Sequence, residues 1–168
     1  MAVTLVLIRH AKSDWSVPIT DRDRPLAKRG RKQAPATGEW IAAHLPPIDL
    51  AVVSVAARAR QTWERVSRVL PDGIEQVESA TAYTLDGRDL RDLVASLPPS
   101  AQVVALVGHN PAAEELIEEL TGEWVPMPTS SVAVIELPDW PAASRGEGRL
   151  RAAGRPADDR WPVRLDSD

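Results

Sequence analysis

The chain has 168 residues, 43% of them hydrophobic and 26% charged, which fits a soluble globular protein with length for one full core and argues against wholesale disorder. A net charge of −4 gives no basic excess of the kind that marks nucleic acid as a partner. The absence of cysteine excludes disulfides, a thiol nucleophile and cysteine-ligated metals. No leader peptide and no apolar run of membrane-spanning length is visible, so the expectation is a cytoplasmic protein without a membrane partner.

Residues 4–8 are a continuous apolar, mostly branched run, which reads as a strand buried on both faces of a parallel sheet. Polarity then flips at Arg9, His10 and Lys12. Ligands in open α/β sheets bind beyond the carboxyl ends of the strands, so a guanidinium fork and an imidazole arrive where a ligand would sit. In isolation the pair is equally an idle surface turn. Residues 13–24 form a polar loop carrying Asp14, Asp21, Arg22, Asp23 and Arg24. A helix is predicted over 26–45, with Ala34, Trp40, Ile41 and Leu45 on its apolar side and Pro35 kinking it or delimiting its first turns. Lys28, Arg29, Arg31 and Lys32 read as a solvated face, and His44 as a surface histidine.

A second buried strand is predicted over 50–53, closed by Ser54, and a helix over 56–70 with Arg58, Gln61 and Thr62 in its first turns. A helix start after a strand offers free amides and a positive dipole end to an anion. One of Arg58 and Arg60 would add a second fork there, leaving the other as ordinary surface. A minor strand over 74–77, a loop over 83–89 and an amphipathic helix over 90–97 follow. The third apolar run, 103–107, ends in Gly108-His109-Asn110-Pro111, ahead of a helix over 112–120 with Glu114, Glu115, Glu118 and Glu119 on its exposed face. A Pro-rich loop over 123–131 leads to a strand over 131–137, which a strand over 148–153 would pair with across a long turn. The polar tail, 154–168, is expected to pack through Trp161. The six tryptophans are expected mainly in the core, and no internal repeat or second domain is visible, so residues 1–168 read as one domain.

Three strand ends thus present Arg9-His10, Arg58 and His109, and two arginines with two histidines on one sheet edge make a site for a dianion. A zinc reading is weaker, because the arginines repel a cation and no third ligand has motif spacing. A Ser-His-Asp hydrolase lacks its Gly-x-Ser-x-Gly elbow, and no Walker loop is present.

Leu7-Ile8-Arg9-His10-Ala11-Lys12-Ser13, Arg58-Ala59-Arg60-Gln61-Thr62 and Val107-Gly108-His109-Asn110-Pro111 together resemble the histidine phosphatase (phosphoglycerate mutase-like) superfamily. The Arg-His-Ala-Lys-Ser variant, Asp21-x-x-Arg24-Pro25-Leu26 and the Pro128-Thr129-Ser130 loop are similar to its SixA branch of phosphohistidine phosphatases. The resemblance spans about residues 3–137. It implies a three-layer α/β/α sandwich around a central, mostly parallel sheet. It also implies that His10 carries the phosphoryl group while Arg9, Arg58 and His109 hold its oxygens, with Arg24 adding a contact and Lys12 either doing so or remaining solvated. No metal or cofactor is implied. The superfamily's glutamate acid has no counterpart in Ala80-Thr81-Ala82-Tyr83-Thr84-Leu85, and Asp21, then Asp23, are the substitutes. A weakened acid suits P–N substrates, whose nitrogen leaves more easily than an alkoxide. Short loops around the site favour a phosphorylated protein as substrate. A small phosphorylated compound, with Asp21 as acid, and a phosphate-binding module without turnover are the alternatives. A mutase fits less well, since its lid segments are not apparent, and the oligomeric state is left open.

Overall fold

In the computed structural model, which describes residues 1–165, the apolar runs become neighbouring strands of one sheet. The first half of the chain forms β1 (Val3–Arg9), α1 (Lys28–His44), β2 (Leu50–Ser54), α2 (Ala57–Ser67) and β3 (Glu75–Ser79). The second half forms α3 (Gly87–Ala95), β4 (Val103–Gly108), α4 (Ala112–Thr121), β5 (Val132–Leu137), β6 (Arg149–Gly154) and β7 (Arg164–Leu165). The sheet order is β3-β2-β4-β1-β5-β6-β7. The first four strands are parallel, and β5, β6 and β7 each pair antiparallel with the strand before them in the sheet.

Both faces of the central strands are covered, which is why their sequences lack alternation. In β1, Leu5 and Leu7 enter one core with Leu106, Leu116, Ile117 and Trp140, while Val6 and Ile8 enter the other with Ile41, Trp63, Val66 and Val107. Helices α1 and α2 therefore cover one face, and α3, α4 and a 3-10 turn at Trp140–Arg145 the other, giving the expected three layers. Each fully buried Leu or Ile contributes about 1.5–3 kcal/mol relative to exposure.

Helix α1 starts later than its periodicity predicts, because Leu26 instead bridges to Ser13 across the loop. Pro35 does not delimit it. The helix continues over 17 residues, and burial of Ala34, Thr37, Gly38 and Ile41 offsets the roughly 3 kcal/mol that an interior proline costs. Gly30 explains how closely α1 approaches β1's exit: a Cβ there would lie 2.1 Å from the Lys12 carbonyl oxygen.

Helix α3 starts three residues before its predicted position, inside the stretch read as loop, because Asp86 caps it by accepting the Arg88 N–H at 2.8 Å. Strand β3 is an exposed edge, shifted one residue from 74–77 at its start and continuing to Ser79. The tail also differs from expectation. Trp161 is 42% exposed, whereas Arg155 is 5% exposed and anchors the segment through Asp158 at 2.6 Å. Residues 166–168 of that tail lie outside the described residues. Only Trp63 and Trp140 are core tryptophans, and Trp15, Trp124 and Trp161 are exposed. Among the described residues no helix is long and apolar enough to cross a membrane.

Candidate active site

The carboxyl ends of β1, β2 and β4 lie side by side, and a pocket of about 550 Å³ opens beyond them. Arg9, His10, Asp21, Arg24, Arg58 and His109 all border it, with Lys12, Trp15, Tyr83 and Asn110. The sequence motifs that were far apart therefore meet. Arg60 is exposed on α2, and Asp23 does not border the pocket, its carboxylate accepting instead from the Thr20 hydroxyl at 2.9 Å.

His10 is 7% exposed. Its Nδ1 lies 2.7 Å from the Ala11 carbonyl, which only accepts, so Nδ1 carries the proton. Arg58 Nε donates to Nε2 at 3.3 Å, a contact that requires a lone pair there. The ring is thus held as the tautomer whose free electron pair sits on Nε2. Burial is the main cause that pushes its pKa well below the usual histidine value, with His109 and the arginines acting in the same direction.

The backbone around His10 is pinned by three side chains from α1 and α2. The Ala11 N–H donates to Thr62 Oγ1 at 2.9 Å, the Lys12 N–H to Gln33 Oε1 at 3.0 Å and the Leu26 N–H to Gln61 Oε1 at 2.8 Å. Gln61 and Thr62 are therefore supports of the loop rather than site groups. Ser130, whose φ of 62° lies in the left-handed region, donates its N–H to the Arg9 and His10 carbonyls. Thr37 holds Ser130 from α1 at 2.8 Å.

His109 sits 5.1 Å from His10, centroid to centroid. Its Nε2 lies 2.7 Å from Ser54 Oγ, and its Nδ1 is buried without a partner among the described residues. Ser54 Oγ also accepts the Ala56 N–H at 3.3 Å and keeps its own proton available to donate to His109. The neutral ring then carries its proton on Nδ1, a donor awaiting an acceptor. Burial and then the Arg58 charge lower the His109 pKa to about 4. Ser54 is a site residue that sequence reasoning treated only as the end of a strand.

Asp21 is half-exposed and ringed by donors. Arg24 Nη1 lies 2.8 Å from Oδ1, Arg58 Nη2 3.1 Å from Oδ2, and the Tyr83 hydroxyl donates to Oδ2. The Tyr83 hydrogen bond, followed by the arginines, holds this carboxyl well below the usual carboxylate range. Arg58 also grips the Asp21 carbonyl at 2.6 Å, and Arg24 Nε donates to Ser13 Oγ at 3.0 Å. The Trp15 ring covers the Arg24 guanidinium at 3.6 Å.

On the other rim, Arg9 Nη1 donates to the Met127 carbonyl at 3.0 Å and its Nε has no partner among the described residues. Glu114 does not lie on a solvated face as expected. Its Oε1 accepts from Asn110 Nδ2 at 2.9 Å and from the Met127 N–H at 3.0 Å, fixing the loop that carries Arg9's partner. Glu115 likewise turns inward to accept the Gly87 N–H at 3.0 Å, leaving Glu118 and Glu119 as the exposed pair. Arg155 was not anticipated either. It reaches the carbonyl of pocket-lining Thr129 at 3.5 Å. Among the described residues no group of three or more His, Asp or Glu is placed to hold a metal ion.

Neutral histidines make a direct pH prediction. In the ligand-free protein the His109 ring should protonate only near pH 4, and the His10 ring only in solution well more acid than an ordinary histidine requires, because a lowered pKa moves protonation to lower pH. Ring nitrogen shifts in a histidine-labelled sample followed by NMR check this. A midpoint near 6.5 for either ring would contradict it.

The profile of the histidine phosphatase superfamily (branch 1) matches residues 5–81, which include Arg9, His10, Asp21, Arg24 and Arg58. An uncharacterized protein of Mycobacterium tuberculosis is 32% identical over 152 residues, covering 90% of each chain. The chain belongs to the histidine phosphatase superfamily. Among solved structures, a candidate phosphohistidine phosphatase SixA from Agrobacterium tumefaciens is 31% identical, with a TM-score of 0.78 over 90% of this chain and 96% of that one. The protein histidine phosphatase SixA complexed with tungstate shares the fold at 23% identity, with a TM-score of 0.80 over 92% of this chain and 97% of that one. The His109 segment lies outside the stretch that the superfamily profile matches, yet the fold carries it to the same pocket. Superfamily membership makes the chain a phosphatase or mutase type of enzyme acting on phosphorylated substrates.

Proposed function

We propose that this protein is a metal-independent phosphatase that hydrolyses phosphohistidine, or another phosphorylated substrate, through a phospho-His10 intermediate. The observation that carries the reading is the His10 ring. Nδ1 is occupied by the Ala11 carbonyl, and Nε2 carries its lone pair toward the pocket, where it accepts only the 3.3 Å contact from the Arg58 fork that a phosphoryl group would take over. A phosphoryl group seated on Arg9, Arg24, Arg58 and the His109 Nδ1–H has its phosphorus presented to that lone pair.

His10 Nε2 attacks phosphorus in line, and the bond to the leaving nitrogen or oxygen breaks with its electron pair going to the leaving atom. The arginines and His109 offset the charge on the equatorial oxygens, the work a metal ion does elsewhere. Asp21 protonates the leaving atom and, as carboxylate, takes a proton from the water that hydrolyses phospho-His10. In the empty pocket Asp21 is an acceptor only, held ionised by Tyr83, Arg24 and Arg58. A bound phosphoryl dianion competes for those arginines and repels the carboxylate, which raises its pKa toward that of an acid. The dianion likewise favours the charged form of His109.

The similarity to the Agrobacterium SixA candidate supports the P–N bond as the target, as does an acid that substrate itself must prepare. The test is turnover, with a chelator present, of a phosphohistidine peptide beside p-nitrophenyl phosphate and sugar phosphates. A preference of about tenfold or more for the P–N substrate over alkyl phosphates is expected. Preference for the alkyl phosphates would make this a small-molecule phosphomonoesterase. Turnover of none of them would favour a binding module.

A further inference from the structure

Asp21 is the one carboxylate among the described residues that line the pocket, and little of its own element holds it there. It lies on a single 3-10 turn, Asp21–Asp23, in which no residue is buried, and its side chain is 51% exposed. Three side chains hold its carboxylate, and two of them, Arg24 and Arg58, are forks that a phosphoryl group recruits. Substrate therefore removes the charged partners of Asp21 while adding a like charge beside it. An aspartate left with only those partners would turn out to solvent at the moment it is needed.

The third partner is Tyr83. Its phenol is uncharged, so it does not compete for the arginines' anion. Its ring is steadied independently of Asp21, tilted against His109 at 5.4 Å with the Arg58 guanidinium 5.9 Å from its centroid. Its backbone N–H is tied to the Ala80 carbonyl at 3.1 Å. We propose that Tyr83 is the positioning residue that keeps Asp21 in the pocket once phosphate has taken Arg24 and Arg58. The proposal rests on the reading of Asp21 as the acid. In the first step the Asp21 proton passes to the leaving atom, while Tyr83 keeps its own proton and directs it at the Asp21 oxygen that is not reacting. In the second step the same bond holds the carboxylate as it takes the proton from water.

The experiment compares the full-length protein with Tyr83→Phe on a series of phosphate esters whose leaving groups run from p-nitrophenol to alkyl alcohols. For p-nitrophenyl phosphate, whose leaving group needs no proton, kcat/KM should fall by about twofold. For alkyl phosphates it should fall by about tenfold or more, so the dependence on leaving-group pKa steepens. Inhibition by inorganic phosphate should stay within about twofold, since Arg24 and Arg58 are untouched. Asp21→Asn should steepen the dependence in the same way, and Tyr83→Phe should add nothing in that background. A uniform loss across leaving groups, an unchanged slope or additive effects in the double variant would overturn the role of Tyr83. If Asp21→Asn itself leaves the slope unchanged, the acid assignment fails and the Tyr83 role falls with it. If Asp21→Asn steepens the slope and Tyr83→Phe does not, the Tyr83 role alone is wrong.

Discussion

Replacing His10 with alanine should lower turnover by about 10⁴-fold or more while leaving phosphate binding largely in place. The asymmetry follows from the geometry. The oxygens of a phosphoryl group would be held by Arg9, Arg24, Arg58 and His109, and of these Arg58 alone bonds the His10 side chain, while keeping its two contacts to Asp21 without it. Covalent capture, by contrast, needs Nε2. The measurement pairs steady-state rates with a labelling experiment, in which substrate carrying radioactive phosphate is mixed with protein and quenched in base. A phosphohistidine label, stable in base and lost in acid, should form on the parent protein and not on His10→Ala. Phosphate should still raise the variant's melting temperature, since a ligand that binds only the folded state stabilises it by mass action. His109 is the internal control, because it is the other imidazole that borders the pocket, held with a proton rather than a lone pair on the nitrogen that faces the phosphoryl group. A label that survives His10→Ala and vanishes in His109→Ala would reverse the two roles. Unchanged turnover in His10→Ala would end the covalent mechanism.

The parts of this site that the sequence revealed are those delivered by strand ends. Arg9-His10 and His109 each follow an apolar run that is buried on both faces, and Arg58 opens the helix after another. Parallel strands of one sheet must end together, so the convergence was legible before any coordinate. The three layers were legible for the same reason: a strand with no polar face needs helices on both sides.

What was not legible depends on contacts that have no local signature. Ser54 meets His109 across 55 positions, and nothing in a serine at a strand end says which ring it will face. Tyr83 lies in a stretch that looks like an ordinary loop, and only the fold turns its hydroxyl to Asp21. Glu114 shares a helix with three other glutamates, and periodicity cannot separate Glu114 and Glu115, which turn inward to Asn110, Met127 and Gly87, from Glu118 and Glu119, which remain in water. The start of α3 is a different kind of miss. Asp86 before Gly87 is a capping signal inside the stretch over 83–89 that was read as a loop. Gly87 is required there because a Cβ would lie 2.4 Å from the Glu115 Cβ, so it marks helix packing rather than a loop.

Arg58→Ala should have the second-largest effect, and it should be visible in two independent quantities. Arg58 connects three parts of the pocket: Nε to His10, Nη1 to the Asp21 carbonyl and Nη2 to the Asp21 carboxylate. Loss of a preorganised donor to the transferring phosphoryl group should lower kcat/KM by about 10²–10³-fold. The second quantity is the acid limb of the pH–rate profile. The Arg58 cation lowers the pKa of both His10 and His109, disfavouring a second positive charge beside it. Without it both rings protonate at higher pH, so the nucleophile's lone pair is lost sooner on acidification and the limb moves toward neutrality. Arg58→Lys separates the two effects. It keeps a charge near the histidines, so the limb should move less than in Arg58→Ala. It lacks the fork that reaches His10 and Asp21 together, so most of the loss in kcat/KM should remain. A lysine variant that recovers full activity would mean that charge alone, rather than the fork, is what the pocket requires. An alanine variant with an unmoved acid limb would mean that burial, and not Arg58, keeps the histidines neutral.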